Sequence, residues 1–312
     1  MQMILKSLRW VILFFVLFCC CATTFVCSQH RYGFSYKTGE DFPFLEELSQ
    51  EGYIGDSFDP SLVHVVVVNP SLVKMDLVRC GLRNTVSGIA RNYSAPFAIV
   101  GGFYRKDKKP SGIFKKAGRF LEFHGNQEQG AIGWNSDDLN HVQIDRLYRT
   151  KQGDLCPILE VQKEEFWRSA SNILGSTPVL LKNGQILDFV EEGVPQSFLC
   201  EYYPRSAMGI RNDGFLIFAV IDATSDDDVR RCGVCGMSMK GLAEFMRRLG
   251  CTQAINLCGG RSTSMFYLWK ALYHGSREKT VSNVLVLQYR EKENSGSSQN
   301  DGIDGIKERR EA

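Results

Sequence analysis

Residues 205–222 read RSAMGIRNDGFLIFAVID, and the fold class turns on how they are read. Ala207 to Arg211 and Phe215 to Asp222 are mainly apolar runs separated by Asn212-Asp213-Gly214, residue types that favour tight turns, so the stretch predicts two antiparallel strands in a hairpin. A second hairpin is signed the same way, with PVLLK at 178–182 turning through Asn183-Gly184 into 185–189. Two-strand units joined this tightly can only be antiparallel, because a parallel pair needs a long crossover.

Working outward, VHVVVV at 63–68 and LVKMDLV at 72–78 read as strands joined by a short turn at Asn69-Pro70-Ser71, and PFAIVGG at 96–102 as a strand running into a glycine turn. Shorter strand-like runs fall at 119–123, 131–134, 142–147 and 253–257, and NVLVLQY at 283–289 is the last. The clearest helix is 239–249, where Leu242, Phe245, Met246 and Leu249 repeat at helical spacing and Gly250 stops it. No internal repeat is present. Strands dominate, and the pattern predicts an α+β fold: a single domain on a large mixed, mainly antiparallel β-sheet with a few flanking helices.

With 44% hydrophobic and 23% charged residues among 312, the chain is too apolar to be largely disordered. Its 37 Lys and Arg against 35 Asp and Glu give +2, which excludes the dense basic face of a general nucleic-acid binder. Residues 10–27, WVILFFVLFCCCATTFVC, form an 18-residue apolar run behind Lys6 and Arg9. That is the layout of a secretory signal peptide removed near Ser28, with an uncleaved membrane anchor or a lipid on Cys19, Cys20 or Cys21 as alternatives. The organisation is then 1–28 signal peptide or anchor, 29–60 an extension lacking a sustained period, 61–290 the main domain and 291–312 a disordered polar tail.

Of 11 cysteines, four sit in the leader and seven remain: Cys80, Cys156, Cys200, Cys232, Cys235, Cys251 and Cys258. Outside the cell this odd number predicts up to three disulfides and one free thiol. Cys232 and Cys235 have the spacing of half a zinc site, but no second such pair or His-x-x-x-His completes it, so no metal site is expected and a disulfide is the better reading.

Several pieces in order bring a family into view: GLAEFMRRLGC at 241–251, QAINL at 253–257, CGGRSTSM at 258–265 and TVSNVLVL at 280–287. With them stand Val100-Gly101-Gly102-Phe103-Tyr104, Thr177 to Gly184 (TPVLLKNG) and Arg205-Ser206-Ala207-Met208-Gly209. Together, over about 62–288, they resemble the phosphodiester glycosidase family, which implies an exported hydrolase removing a sugar from a sugar-1-phosphodiester. Three positions depart from the family pattern. Cys258 stands where the family has Asp, followed by Arg261 in place of a glycine, and Val100 stands where it has Asn. A thiol with an ordinary pKa of about 8.5 cannot do the work of a carboxylate unaided.

The resemblance implies a substrate site. Gly259, Gly260, Arg261, Ser262 and Thr263 would cradle the phosphate through backbone N–H groups and a guanidinium. Arg205 and Ser206 would join them, Gly101 and Gly102 would wall the pocket, and Asn256 and Asn283 would bind sugar hydroxyls. Against these stand simpler readings: a tight turn with Arg261 exposed, a surface ion pair for Arg205, positive-φ turns at Gly101 and Gly102, and asparagines bracing turns. Asp222 is the best-placed acid or base, with Glu122 and Glu201 poorer, and Cys258 as a nucleophile has no evident His. No cofactor is expected, with a structural calcium ion left open. The expected partner is a carbohydrate or sugar phosphate, with membrane association through the N-terminal run. An inactive glycan- or phosphosugar-binding relative and a disulfide-linked envelope protein are the other two readings.

Overall fold

A computed structural model describes residues 33–290, apart from 57, 82, 124–127, 137, 224–234 and 274–276. The leader, the polar tail and Cys232 therefore lie outside the described residues. In chain order the strands are β1 (Phe34–Thr38), β2 (Val63–Val68), β3 (Val73–Arg79), β4 (Phe97–Val100), β5 (Phe114–Lys116), β6 (Arg119–Glu122), β7 (Gln129–Asn135), β8 (Asp138–Arg149), β9 (Leu155–Pro157), β10 (Asn172–Gly175), β11 (Val179–Lys182), β12 (Gln185–Ile186), β13 (Arg205–Arg211), β14 (Leu216–Ile221), β15 (Cys251–Asn256), β16 (Ser264–Tyr267), β17 (Lys270–Tyr273) and β18 (Asn283–Tyr289). The α-helices are short: α1 (Phe44–Gln50), α2 (Val86–Asn92), α3 (Glu164–Ser169), α4 (Gln196–Cys200) and α5 (Met239–Arg248).

The fold is α+β with antiparallel pairing, and its strands are shared among three sheets. The seven-stranded sheet runs β1-β2-β14-β13-β15-β11-β12, the six-stranded one β6-β5-β10-β7-β8-β9 and the five-stranded one β17-β16-β4-β18-β3. The 205–222 hairpin forms as expected, with Met208 opposite Phe218 and Arg205 opposite Ile221. The second hairpin turns at Asn183 and Gly184, with φ 51 and 75, the left-handed pair that Asn-Gly supplies cheaply. β2 and β3 are consecutive, yet the turn Pro70–Leu72 sends them into different sheets. Phe34–Thr38, which shows no clear period, pairs with β2 as the edge strand of the seven-stranded sheet.

Alternation along the central strands builds two cores. On one face Val66, Met208, Phe218 and Ile255 meet Met75, Leu77, Phe97, Ile99 and Leu285 of the five-stranded sheet. On the other, Val65, Ala207, Ala219 and Ala254 meet Leu45 and Leu48 of α1 and Leu242, Phe245 and Met246 of α5. Helix α5 starts where the Ser238 hydroxyl accepts a hydrogen bond from Gly241 N at 3.1 Å, an N-cap, and it ends before Gly250 at φ 84. No helix of the described residues is long and apolar enough to cross a membrane.

The expected disulfides are not formed at Cys80, Cys156, Cys200, Cys251 or Cys258, which are free thiols. Burial explains three of them: Cys80 sits in the core between sheets, Cys251 in the core beneath α5, and Cys258 at the end of the central strand β15.

Candidate functional site

All three sheets end at one corner. There β4 runs out into Gly101-Gly102, β15 into residues 257–263, β10 stops at Gly175, and β13 and β18 begin at Arg205 and Asn283. Backbone hydrogen bonds stitch these ends together. Cys258 N donates to Gly101 O at 2.9 Å, Leu257 N to Ser206 O at 2.7 Å and Gly260 N to Pro204 O at 2.8 Å. The loop that a family resemblance marks as the substrate cradle is thus the seam between the five- and seven-stranded sheets.

Neither Gly101 nor Gly102 has a positive φ. A Cβ on Gly101 would lie 2.1 Å from Asn283 Oδ1, and one on Gly102 would lie 2.1 Å from the Gly175 carbonyl oxygen. The space each glycine leaves is filled by protein, which is the physical reason for both. Gly259 is similar, since a Cβ would stand 2.7 Å from Pro204 O, whereas Gly260 needs its glycine for φ 59.

Asn283 is buried and its amide bonds Gly102 on both sides, while Asn256 is buried and donates Nδ2–H to Thr177 O at 2.7 Å. Arg205 is 1% exposed rather than a surface cation. Its Nε donates to Met237 O at 2.9 Å and its Nη2 to the carbonyls of Phe198 and Glu201 at 2.9 and 3.0 Å. The Phe198 and Tyr203 rings lie 4.7 and 5.2 Å from the guanidinium centre. Burial pulls it down to about 9, against the pull of Tyr203 and Glu201, which still leaves it protonated at neutral pH. Arg205 thereby ties α4 and the strand start to the 235–238 segment. Arg261 differs: it is exposed on the loop and makes no hydrogen bond or ion pair among the described residues.

Asp222 is buried just beyond β14, where its N–H bonds Leu62 O at 3.0 Å and its Oδ1 accepts from Ala223 N at 2.9 Å. It lies at the same end of the seven-stranded sheet as Cys258, two strands away in the order β14-β13-β15, or roughly 10 Å. Glu201 accepts from the Tyr203 hydroxyl, and Glu122 pairs with Arg79, the cross-strand neighbour of Asn283, at 2.8 Å. Val100 is fully buried, facing Val284.

Cys258 heads a side-chain chain that sequence reading did not find. Its thiol is hydrogen-bonded to Ser262, whose hydroxyl is 2.8 Å from the Tyr104 hydroxyl. Lys108 Nζ then donates to Tyr104 Oη at 3.2 Å and to Thr280 O at 3.1 Å. Burial pushes the thiol up to about 11, outweighing the Ser262 bond and the Lys108 charge, so Cys258 is a neutral thiol at physiological pH. The half-buried Phe103 stands beside this chain and meets Phe198 edge-on at 5.9 Å. Tyr104 belongs to the Val100–Tyr104 motif, whereas Lys108, four residues on, and Phe198, distant in sequence, carry no motif signal.

Six buried side-chain polar atoms have no hydrogen-bond partner among the described residues, and four belong to this corner: Ser206 Oγ, Asn256 Oδ1, Thr263 Oγ1 and Ser282 Oγ. Such atoms are rare because each costs desolvation, so their concentration here marks unused bonding capacity. A separate groove of about 600 Å³ opens near the opposite ends of the strands, over Phe42, Val65, Val67 and Ile217. The two arginines on its rim are already paired, Arg211 with Asp213 and Arg248 with Glu47, Glu51 and Glu244.

Comparison with solved structures finds the fold in a hypothetical protein from Synechocystis (TM-score 0.59, 19% identity, 73% of this chain). The chain spans 59% of that protein's length. The catalytic domain of zebrafish N-acetylglucosamine-1-phosphodiester alpha-N-acetylglucosaminidase, auto-inhibited by its pro-peptide, is similar at TM-score 0.58 and 19% identity, over 73% of this chain and 77% of that one. A Burkholderia pseudomallei protein named as exported follows at TM-score 0.54 and 14% identity, over 72% and 73%. No curated protein matches by sequence. The phosphodiester glycosidase profile matches residues 93–288. Because that single span is well over half of the sequence and takes in the glycine pair, the 257–263 seam and Asn283, the chain belongs to the phosphodiester glycosidase family.

Proposed function

We propose that the chain hydrolyses sugar-1-phosphodiesters at this corner, releasing the sugar. The observation that carries the reading is the set of unpartnered buried polar atoms on Ser206, Asn256, Thr263 and Ser282, at the same corner as the loop that carries the exposed Arg261. The exposed Arg261 guanidinium would hold the phosphate, the hydroxyls and amide of this corner the sugar hydroxyls, and the half-buried Phe103 ring a sugar face. Asp222 would serve as acid or base; a phosphate departs with little protonation, so one carboxylate is enough. The apolar run at 10–27 supports an exported or membrane-anchored location for this glycan processing.

The neutral, buried Cys258 and the apolar Val100 favour a second reading, in which the same corner binds a sugar phosphate without turnover. The test is release of free sugar from a panel of sugar-1-phosphodiesters, N-acetylglucosamine esters included, by the purified chain and by Arg261→Ala and Asp222→Asn. Turnover lost in both variants supports hydrolysis. Calorimetric binding without turnover, weakened in Arg261→Ala, selects the second reading, and neither binding nor turnover rejects both.

A further inference from the structure

Nine large apolar side chains are exposed among the described residues, and four of them share one end of the five-stranded sheet: Leu72, Leu268, Trp269 and Tyr289 at 38, 48, 72 and 43% exposure. The register puts them there. Leu268 and Trp269 form the two-residue turn between Tyr267 and Lys270, Tyr267 lies opposite Phe97 and Phe97 opposite Leu287. Tyr289 lies opposite Val73, the residue after Leu72. The row crosses three strand spacings, roughly 15 Å.

The turn itself is unusual. Leu268 and Trp269 have φ 42 and 73, the conformation that Asn183 and Gly184 adopt in the β11–β12 turn and that bulky residues resist. Trp269 gains little inside the chain, touching Phe266 edge-on at 6.5 Å. The surroundings are basic. Lys74 and Lys270 are exposed, and Arg91 stands 5.5 Å over the Phe266 ring. Residues 69–75, 91–97, 266–272 and 286–290 contain no Asp or Glu.

The chain also enters the described structure at this end. A side chain on Gly33 would come within 3.2 to 3.8 Å of Leu72, Val73 and Tyr289. Only residues 28–32 separate Gly33 from the apolar run at 10–27, and five residues reach at most about 17 Å. An anchor in a bilayer would hold this end against it.

We propose that this end of the five-stranded sheet is a lipid-contact surface. Leu268, Trp269, Tyr289 and Leu72 enter the boundary between headgroups and acyl chains, and Lys74, Arg91 and Lys270 meet anionic headgroups. Val100 and Asn283 stand at the far ends of the same strands β4 and β18, so the sugar-phosphate corner faces away from the membrane. The proposal does not depend on what that corner binds.

The full chain, reconstituted into phosphatidylglycerol–phosphatidylcholine vesicles with acyl chains brominated near the headgroup, tests it. In Trp10→Phe the tryptophans left are Trp269 and the buried Trp134 and Trp167. Emission should shift to the blue and fall by about a third on the brominated vesicles, the share of the one exposed tryptophan in three. Adding Leu268→Asn and Trp269→Gly relieves the turn, so this variant folds and should lose the quenching. No quenching in Trp10→Phe, or equal quenching after the turn replacement, overturns the proposal. Equal quenching in purely zwitterionic vesicles overturns its basic half.

Discussion

The side-chain amide of Asn283 holds both polar groups of Gly102, accepting from its N–H at 2.7 Å and donating to its carbonyl at 3.2 Å. Asn283→Ala leaves both groups buried and unpaired. It should cost about 2 kcal/mol, a melting point lower by about 4 °C, read by thermal unfolding. No change would mean that Gly102 finds other partners.

Arg205→Lys separates architecture from ligand binding. One ammonium cannot reach the carbonyls of Met237, Phe198 and Glu201 while lying between two rings, so unfolding should become easier by about 3 kcal/mol. A raised KM for a sugar phosphodiester at unchanged stability would instead make Arg205 a ligand group.

Cys258→Asp returns a carboxylate to the chain that runs through Ser262 and Tyr104 to Lys108. Sugar release should rise at least tenfold over the parent if position 258 limits the chemistry, measured at saturating substrate. Equal rates would place the working carboxylate elsewhere, with Asp222→Asn the next variant to assay.

Thiol reactivity should be strongly graded. Cys200 is exposed, whereas burial pushes Cys80 and Cys251 up to about 12 and Cys258 up to about 11. Iodoacetamide at pH 8 should label Cys200 at least tenfold faster than these three, read by mass spectrometry. The folded thiols hold their protons more tightly than unfolded ones, so stability is complete below about pH 8.5 and declines as pH rises toward 11–12.

Acid should act through His64. Its Nδ1 is 2.8 Å from the Tyr36 hydroxyl, and burial, aided by Lys270, lowers its pKa from 6.5 to about 4. The folded state takes the proton later than the unfolded chain, so its stability is complete above pH 6.5 and falls by roughly 2–3 kcal/mol as pH drops toward 4. Urea midpoints at pH 7 and 4.5 should differ less in His64→Gln than in the parent; an equal difference would assign the acid sensitivity to other groups.

The parts legible in the sequence are those with a local cause. Asn183-Gly184 and Asn212 to Gly214 announce their hairpins through turn chemistry, and α5 through its apolar spacing. Phe34–Thr38 escapes because its strand character comes from pairing with β2, and the division into three sheets is decided by turns such as Pro70–Leu72 that look the same either way. At the corner, the glycines and Asn283 were legible as a motif. Their reason, the close approach of Gly175 and the Asn283 amide, is a contact across distant segments. Phe198 reaches the corner only through the tertiary fold, meeting Phe103 from a distant segment.

The missing side chains at Gly101, Gly102 and Gly259 divide the corner into two kinds of position. Where a single added carbon would strike protein at 2.1 to 2.7 Å, descent has no room to experiment. Position 261 carries an exposed side chain that can change without moving the seam, because the seam is held by backbone groups. The frame of the corner can thus stay intact while the group presented to a ligand differs, so fold and chemistry are set here by different atoms.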